Sequence, residues 1–333
     1  MTHEQSFIIP EDAAGTRLDV FLSRVLSVTR SKAQQLIKGN RILVNDKFPK
    51  KAGDMLSTGA TVVILPAVES QKEEKSIETV PPLGESGVRI VAETPSYLVV
   101  YKPAGILVHE TEAREPVTLL SILEQTYPEI RTIGESELRG GIVHRLDREA
   151  SGLLVIPRTE QMFLHLKQQF QERTIEKEYL VLVHDAPAKD QDVIDFPIDR
   201  GSDGRMVARP KSDVTTVHGV ATLQPGKDAL TEFTVEKRFA RFTLLRVRIH
   251  TGRMHQIRVH MLAYNLPVVG DTLYFNKKLN RKRDTALGRL FLHATRLSFT
   301  DLDGERQTFE YPLPSELASF LETLSYNTYV DTP

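Results

Sequence analysis

The spacing of apolar residues in the first part of the chain predicts a small unit of helices and strands. Residues 17–26 place apolar side chains three and four positions apart, which gives a helix with one apolar face. A second short helix is predicted over 29–39, where Gly39 supplies the end. The apolar runs at 41–44 and 61–65 predict two strands.

A polar stretch separates this unit from the rest of the chain. Residues 67–87 contain few large apolar side chains, are rich in Ser and Glu and include two adjacent prolines, which is the composition of a linker. Apolar runs typical of strands return from residue 88 onward. We therefore divide the chain into an N-terminal segment 1–16, a small domain 17–66, the linker 67–87 and a large domain 88–333.

The charge of the chain is unevenly distributed. Overall, 43 basic residues stand against 44 acidic ones. Between residues 17 and 66, nine basic residues face three acidic ones, so this part carries +6 and the remainder of the chain −7. We expect Arg30, Lys32 and Lys38 to project from the outer side of the helices. A solvated helix face is the ordinary explanation of such a cluster, and attraction to a polyanion is the functional one.

Composition excludes several classes of protein. No stretch approaches the roughly 18 consecutive apolar residues that a membrane span needs. The start of the sequence does not show the basic region followed by an apolar stretch that is typical of a secretory signal. With no cysteine in the chain, disulfides, thiolate zinc sites and cysteine nucleophiles are excluded. We expect a cytoplasmic protein.

Asp147 is the first candidate for chemistry. It lies in 140–156, whose ends are apolar and whose middle is polar, a pattern that predicts a strand, a loop and then a buried strand. Loops held between strands commonly present reactive groups. His144, Arg145 and Arg148 are expected to surround the carboxylate with positive charge and keep it ionised. The ordinary alternative is an Asp that caps a turn or joins a surface salt bridge.

Tyr179 is the second candidate. Residues 176–183 predict a strand in which Tyr179, Val181 and Val183 share one face. A tyrosine in a strand ordinarily packs in the core or against a neighbouring strand. The functional alternative is a ring that stacks on a base displaced from an RNA helix.

The stretch 244–261 carries the third set of candidates. It predicts a strand, a break at 251–252 and a helix that begins near Met254. Arg253 and Arg258 leave this helix in different directions, so one is suited to a phosphate and the other to a carboxylate inside a cleft. The three His residues of this stretch recur every five positions, which suits neither one helix face nor one strand face, so we expect no metal site.

Residues 17–47 resemble an S4 RNA-binding domain. In that domain a helix is followed by a Ser-Arg-Ser-type turn, a basic helix and a strand that ends in Val-Asn-Gly. Here 29–31 read Thr-Arg-Ser and 44–46 read Val-Asn-Asp. The RNA-binding residues that the resemblance implies are Arg30, Lys32, Lys38 and Arg41.

Motifs spread over 88–317 resemble those of the RluA-type pseudouridine synthases. Residues 144–147 read His-Arg-Leu-Asp, 177–179 read Lys-Glu-Tyr, and 251–260 read Thr-Gly-Arg-Met-His-Gln-Ile-Arg-Val-His. Shorter matches, Tyr-Lys-Pro-Ala-Gly, Pro-Val-Val-Gly-Asp and Leu-His-Ala, begin at residues 101, 267 and 292. The resemblance implies an α+β fold with a mixed, largely antiparallel sheet and flanking helices, preceded by the small S4-like α/β module.

The same resemblance implies that the protein isomerises uridine to pseudouridine in RNA. By it, Asp147 is the catalytic aspartate, Tyr179 the active-site tyrosine and Arg258 the basic partner of the aspartate. Arg145 matches the arginine that occupies the gap left by a flipped nucleotide. An S4 domain ahead of such a domain implies large-subunit ribosomal RNA as the partner. No cofactor, metal, membrane or obligate protein partner is implied.

Three alternatives stay open at this point. One is a ribosome-assembly factor that binds RNA without turnover, the second a synthase acting on transfer RNA, and the third a nucleoside or glycoside hydrolase, which would release free uracil. The sequence leaves open whether Asp147 acts as nucleophile or as base, and it leaves the oligomeric state open.

Overall fold

A computed structural model gives the fold of the chain. It describes residues 5–26, 33–34, 36–37, 40–49, 51–65, 80–111, 113, 115–134, 139–209, 226–276 and 282–325. The chain folds as two compact units, Met1–Ile77 and Glu78–Pro333. Within the described ranges, every helix is too short or too polar to cross a lipid bilayer.

The small unit contains a three-stranded antiparallel sheet. Strands β1 (Gln5–Ile8), β2 (Ile42–Val44) and β3 (Thr61–Ile64) lie in the order β1-β3-β2. Helix α1 (Leu18–Val25) contributes its apolar face to the core beneath them. The predicted helix and two strands are thus confirmed. β1 lies in the segment 1–16, which the sequence division places outside the small domain. The sequence did not predict this strand because its partner β3 is distant along the chain.

The second predicted helix of the small unit is described only in part. Residues 33–34 and 36–37 are helical, and their apolar side chains enter the core of the unit. Arg30, Lys32 and Lys38 lie outside the described residues.

The large unit is built on β-strands. In chain order they are β4 (Arg89–Glu93), β5 (Tyr97–Lys102), β6 (Ser151–Pro157), β7 (Glu176–His184), β8 (Gln191–Ile194), β9 (Ile198–Arg200), β10 (Met206–Ala208), β11 (Thr231–Arg238), β12 (Phe242–Ile249), β13 (Leu292–Thr300) and β14 (Arg306–Glu310). β9 and β10 pair with each other. The others form a nine-stranded sheet in the order β4-β5-β6-β13-β7-β12-β11-β8, with β14 beside β13.

The pairing in this sheet is mixed and largely antiparallel. Among the described strands, the pair β13 and β6 is parallel, and the other pairs of the sheet are antiparallel. The fold class expected from the sequence is confirmed. The parallel pair brings the start of β6, which directly follows the Asp147 loop, beside the middle of the sheet.

Helices cover both faces of the sheet. They are α2 (Leu119–Leu123), α3 (Glu129–Thr132), α4 (Glu160–Glu172), α5 (Gln256–Ala263), α6 (Lys282–Leu287) and α7 (Ser315–Glu322). Successive residues of a strand point to opposite faces. Accordingly, Leu154 of β6 joins the apolar cluster that contains Leu119 of α2, and Val155 joins the cluster that contains Leu166 of α4. Burial on both faces explains why β6 is a continuous apolar run.

The end of the predicted linker belongs to the large unit. Val80 and Leu83 are half-buried and pack against its main apolar cluster. The Gln125 side-chain amide donates to the carbonyl of Pro81 at 3.3 Å. The large unit therefore begins before residue 88. Two apolar side chains within a polar stretch are enough to pack that stretch against the core of the unit.

Candidate active site

Asp147 lies on the loop 140–150 that leads into β6. The buried strand after the loop is confirmed, and the strand expected before it is wrong. Residues 142–147 form no strand, since the amides of Gly141 and Ile142 donate instead to carbonyls of the preceding helix and turn. Asp147 is thus presented on an irregular segment next to a rigid strand.

Contacts with the turn after β5 hold this loop in place. The Gly105 amide donates to the Arg148 carbonyl at 2.7 Å, and Arg148 Nε donates back to the Gly105 carbonyl at 2.9 Å. The buried ammonium of Lys102 donates to the carbonyls of Pro103, Ile106 and Arg148 at 2.8, 2.9 and 3.3 Å. Burial lowers the pKa of Lys102 to about 7. Arg148, directly after Asp147, is therefore fixed through both its carbonyl and its side chain.

The start of β6 is a close crossing of two strands. Gly152 has a φ of 129°, and a Cβ there would lie 2.3 Å from the Ala294 carbonyl oxygen, so only glycine fits. Next to it, Arg289 Nη2 donates to Ser151 Oγ at 2.8 Å, and the Ser151 hydroxyl donates to His293 Nδ1 at 3.0 Å. These contacts anchor the exit of the Asp147 loop to β13.

Arg258, on α5, is the basic partner of Asp147. Its Nη1 donates to Asp147 Oδ2 at 3.2 Å, while Nε and Nη2 donate to Asp271 at 2.7 and 2.9 Å. Burial opposes the charge of Arg258, whose side chain is 3% exposed, but the bonds to Asp271 and Asp147 outweigh this effect and raise its pKa. The bidentate contact fixes the guanidinium, which in turn orients the Asp147 carboxylate.

Asp271 holds that guanidinium and was not among the predicted site residues. It follows Gly270, whose φ is 78° and where a Cβ would meet the Arg289 carbonyl oxygen at 1.8 Å. Asp271 Oδ1 also accepts the amides of Leu273 and Tyr274 at 2.8 and 2.9 Å. The Gly-Asp pair after an apolar run was the sequence signal, because it marks a turn that presents a carboxylate.

The loop before α5 is folded around Gln256. Its Nε2 donates to the Leu230 carbonyl and to Thr231 Oγ1, both at 3.0 Å. Its Oε1 accepts from Thr251 Oγ1 at 2.7 Å and from the Arg253 amide at 3.0 Å. This network fixes the start of the helix that was predicted near residue 254.

Tyr179 shares one face of β7 with Val181 and Val183, and the alternation expected from the sequence is confirmed. The ring is buried in the main apolar cluster and also lines the cavity that contains Asp147. Burial, with a smaller contribution from the Asp147 carboxylate, raises the pKa of the phenol. Tyr179 is therefore protonated at neutral pH, suited to stack on a base or donate a hydrogen bond.

His144 does not add positive charge beside Asp147, and that expectation is wrong. Its Nε2 accepts the Val155 amide at 3.0 Å, which requires an unprotonated nitrogen. Burial, together with the nearby Lys177 ammonium, lowers the pKa of His144 to about 3. The ring is neutral because both its hydrogen bond and its surroundings disfavour a second proton. The charge that contacts the carboxylate comes from Arg258.

His255 contributes to the site through both its backbone conformation and its side chain. It precedes α5 in the left-handed conformation, with φ 54°. Its Nδ1 lies 2.8 Å from the Tyr274 hydroxyl, which accepts the Met206 amide at 3.1 Å. The Arg258 guanidinium lies 5.1 Å from the centre of the Tyr274 ring. In the sequence analysis, His255 is weighed only as a possible metal ligand. In the structure its side chain instead holds the Tyr274 ring beside the Arg258 guanidinium.

Of these residues, His144, Asp147, Tyr179, His255 and Gln256 line one cavity of about 530 Å³. Asp147 is the one carboxylate among the described residues that line it. The Lys and Arg residues that line it are Arg139, Arg145, Arg173, Lys177 and Arg253. A cleft with this charge concentrates anionic ligands, so the cavity suits a polyanion whose reacting part meets a single carboxylate.

The remaining predicted residues lie in different places. Arg145 is exposed and lines the cavity. Arg253 also lines the cavity, and its Nε donates to the Asp228 carbonyl at 2.9 Å. In the small unit, Arg41 is half-buried, and its Nη2 donates to the Leu65 carbonyl at 2.8 Å. In the described ranges, no cluster of His, Asp and Glu is arranged to hold a metal ion.

Comparison with known proteins identifies the family of the chain. The family described as RNA pseudouridylate synthase matches residues 96–263, and the S4 domain matches residues 16–62. An uncharacterized RNA pseudouridine synthase of Aquifex aeolicus is 38% identical over 261 residues, which are 78% of this chain and 76% of that protein. The ribosomal large subunit pseudouridine synthase D of Neisseria meningitidis serogroup A is 33% identical and covers 97% of this chain and 83% of its own.

A solved structure agrees with these relatives. Human RNA Pseudouridylate Synthase Domain Containing 1 has a TM-score of 0.56 at 25% identity, covering 74% of this chain and 91% of its own. With the matched family spanning half of the sequence and full-length relatives above 30% identity, the chain belongs to the RNA pseudouridine synthases, the isomerases of uridine in RNA, and carries an S4 domain ahead of its catalytic domain.

Proposed function

We propose that this enzyme isomerises uridine in large-subunit ribosomal RNA and that Asp147 is the catalytic carboxylate. The observation that carries the proposal is the Asp147–Arg258 ion pair, in which Asp147 lines a basic cavity together with the Tyr179 ring. Relatives named for the large ribosomal subunit, aligned over 95% or more of this chain, support the RNA class. The small unit is proposed to bind that RNA, and such a substrate agrees with action in the cytoplasm.

The reaction exchanges one glycosidic bond for another. The C1′–N1 bond breaks, the uracil turns, C5 bonds to C1′, and the proton lost from C5 is balanced by one gained at N1. Asp147 either attacks C1′ or removes a proton from the sugar, and both roles need the ionised form, the form that pairs with Arg258. Retaining glycosidases use two carboxylates, whereas the described cavity lining offers one, which favours isomerisation over hydrolysis.

The target uridine has to leave its stack before it reaches Asp147. Extrusion costs a few kcal/mol. In this proposal the protonated Tyr179 ring stacks on the base, and the exposed Arg145 guanidinium fills the gap in the RNA. Arg139, Arg173 and Arg253 pair with phosphates around the cavity mouth, which accounts for its charge.

The test is Asp147→Asn, with Glu149→Gln as its matched control. Glu149 also lies near Arg258, at 3.5 Å, but is 48% exposed. We expect Asp147→Asn to reduce pseudouridine formation by at least about 10³-fold with RNA affinity within a few-fold, and Glu149→Gln to keep its rate. Pseudouridines are mapped by carbodiimide in ribosomal and transfer RNA from cells with and without the gene.

Each other outcome identifies a different function. Turnover by Asp147→Asn excludes its catalytic role. Free uracil as the product indicates a hydrolase, and modification confined to transfer RNA replaces the ribosomal substrate. RNA binding without any product in the wild type indicates an assembly factor.

A further inference from the structure

Lys177 lines the same cavity as Tyr179, two residues earlier on β7. Two residues of a strand span about 7 Å, so its side chain enters the cavity one step away from the Tyr179 ring. Its ammonium lies 5.2 Å from the centre of the Phe170 ring. A Cβ on Gly252 would be 4.0 Å from that ammonium, so the opposite wall of the cavity has no side chain there.

The charge of Lys177 is not compensated within the described part of the protein. None of the described residues gives it an ion pair or a hydrogen-bond acceptor, and its neighbours are the Phe170 ring and the neutral His144. Burial lowers the pKa of Lys177 to about 8, so the ammonium is mainly protonated at pH 7. A partly desolvated cation without a counterion costs stability, which proteins accept mainly at functional sites.

Lys102 shows how the same fold treats a structural ammonium. That group is buried against three carbonyl oxygens, which use its three donors. Among the described residues, Lys177 has the face of the Phe170 ring, which attracts the charge but offers no oxygen or nitrogen acceptor for its three N–H donors. An acceptor atom of the ligand is therefore required to bond these N–H donors.

We infer that Lys177 binds a backbone phosphate of the RNA strand, next to the nucleotide that enters the site. The inference rests on the proposed function and names a contact of the substrate beyond the flipped uridine. An ammonium is a compact point charge that suits a phosphate.

The test measures binding of a fluorescent oligocytidylate with one central uridine, in an Asp147→Asn background so that no turnover occurs. We expect Lys177→Met to weaken binding by about tenfold and to reduce the salt slope of the affinity by about 0.7. Lys177→Arg restores most of the affinity. Lys167→Met is the matched control, since Lys167 also lies over a phenylalanine, at 5.9 Å, but does not line the cavity.

Neutral methylphosphonate linkages on either side of the uridine identify the group that is bound. At one of the two positions, we expect the neutral linkage to abolish the difference in affinity between the wild type and Lys177→Met. Lys177→Met itself binds the RNA with that neutral linkage and the fully charged RNA equally. Melting temperature confirms that the variant is folded, and we expect it unchanged or higher because an unpaired cation is removed. Lys177→Gln replaces the Met variant if that one does not fold.

Two results overturn the inference alone. One is wild-type affinity in Lys177→Met, or in Lys177→Gln where that variant replaces it. The other is a loss in Lys177→Met that persists undiminished on both neutral RNAs, which would place Lys177 on a base. A wild-type protein that does not bind the oligonucleotide at low salt, nor ribosomal RNA, overturns the proposed function together with this contact.

Discussion

The two sides of β7 carry two arginine–carboxylate clusters that differ in burial. On the cavity side, Arg258 is 3% exposed and pairs with the fully buried Asp271. On the other side, Glu178 pairs with Arg246 and Arg296, whose side chains are 39% and 32% exposed. The same kind of ion pair is therefore desolvated on one side of a strand and solvated on the other.

Strand alternation is what separates the two clusters. Lys177 and Tyr179 line the cavity, while Glu176 and Glu178 join a network with arginines of β12, β13 and β14. Water screens the second cluster and makes its pairs individually weak. Within the first cluster, loss of one partner leaves a buried charge. The buried cluster therefore fixes the geometry around Asp147, and the solvated one links neighbouring strands.

Asp271→Asn is expected to have the largest effect on stability. It leaves the Arg258 guanidinium buried without the carboxylate that accepts its Nε and Nη2, at a cost of about 3–5 kcal/mol. Pseudouridine formation also falls, because Arg258 no longer holds Asp147 in place. Urea unfolding measures the cost, with the exposed Asp203→Asn as control. A loss below about 1 kcal/mol would show that burial does not distinguish the clusters.

The parts of this site that follow from local pattern were predictable from the sequence. The alternation of Tyr179 with Val181 requires only the repeat of a strand, and it is confirmed. The polar break between apolar runs located the Asp147 loop. Arg258 was identified through the family motif and through its divergence from Arg253.

The parts that depend on distant contacts were not predictable. Asp271 lies 13 positions after Arg258, and it gains its role because the chain between them turns back onto α5. His144 looks cationic in the sequence, but burial, the nearby Lys177 ammonium and the Val155 amide, all brought to it by the fold, keep it neutral. The strand β1 needs a partner more than 50 residues away. Spacing reports the periodicity of an element, whereas the protonation state of a side chain depends on its neighbours in space.

The histidines buried near the cavity predict sensitivity to acid. The pKa of His144 is lowered to about 3 and that of His293 to about 4, mainly by burial. In the unfolded chain both have a pKa of about 6.5. The unfolded state therefore binds more protons below that value, so the stability is complete above pH 6.5 and is lost as the pH falls towards 4. Each histidine contributes a loss of about 2 kcal/mol at pH 5.

The matched variant for this effect is His144→Gln, whose side-chain oxygen accepts the Val155 amide without titrating. We expect the difference in unfolding free energy between wild type and variant to shrink by about 2 kcal/mol between pH 7.5 and pH 5. His165→Gln, on the half-exposed surface of α4, serves as the control and should follow the wild type. A constant difference would mean that His144 is protonated in the folded state.

Glu178→Gln is expected to have the smallest effect, which makes it the most direct test of the contrast. Its carboxylate contacts Arg246 at 3.4 Å and Arg296 at 3.2 Å, yet solvent reaches both arginines. We expect a loss of about 1 kcal/mol or less, smaller still at high salt, with unchanged turnover. A double-mutant cycle with Arg296→Gln isolates the pair from the rest of the network. Coupling as large as the cost of Asp271→Asn would mean that the solvated side of β7 also positions the residues proposed to be catalytic, because Tyr179 follows Glu178 directly in the same strand.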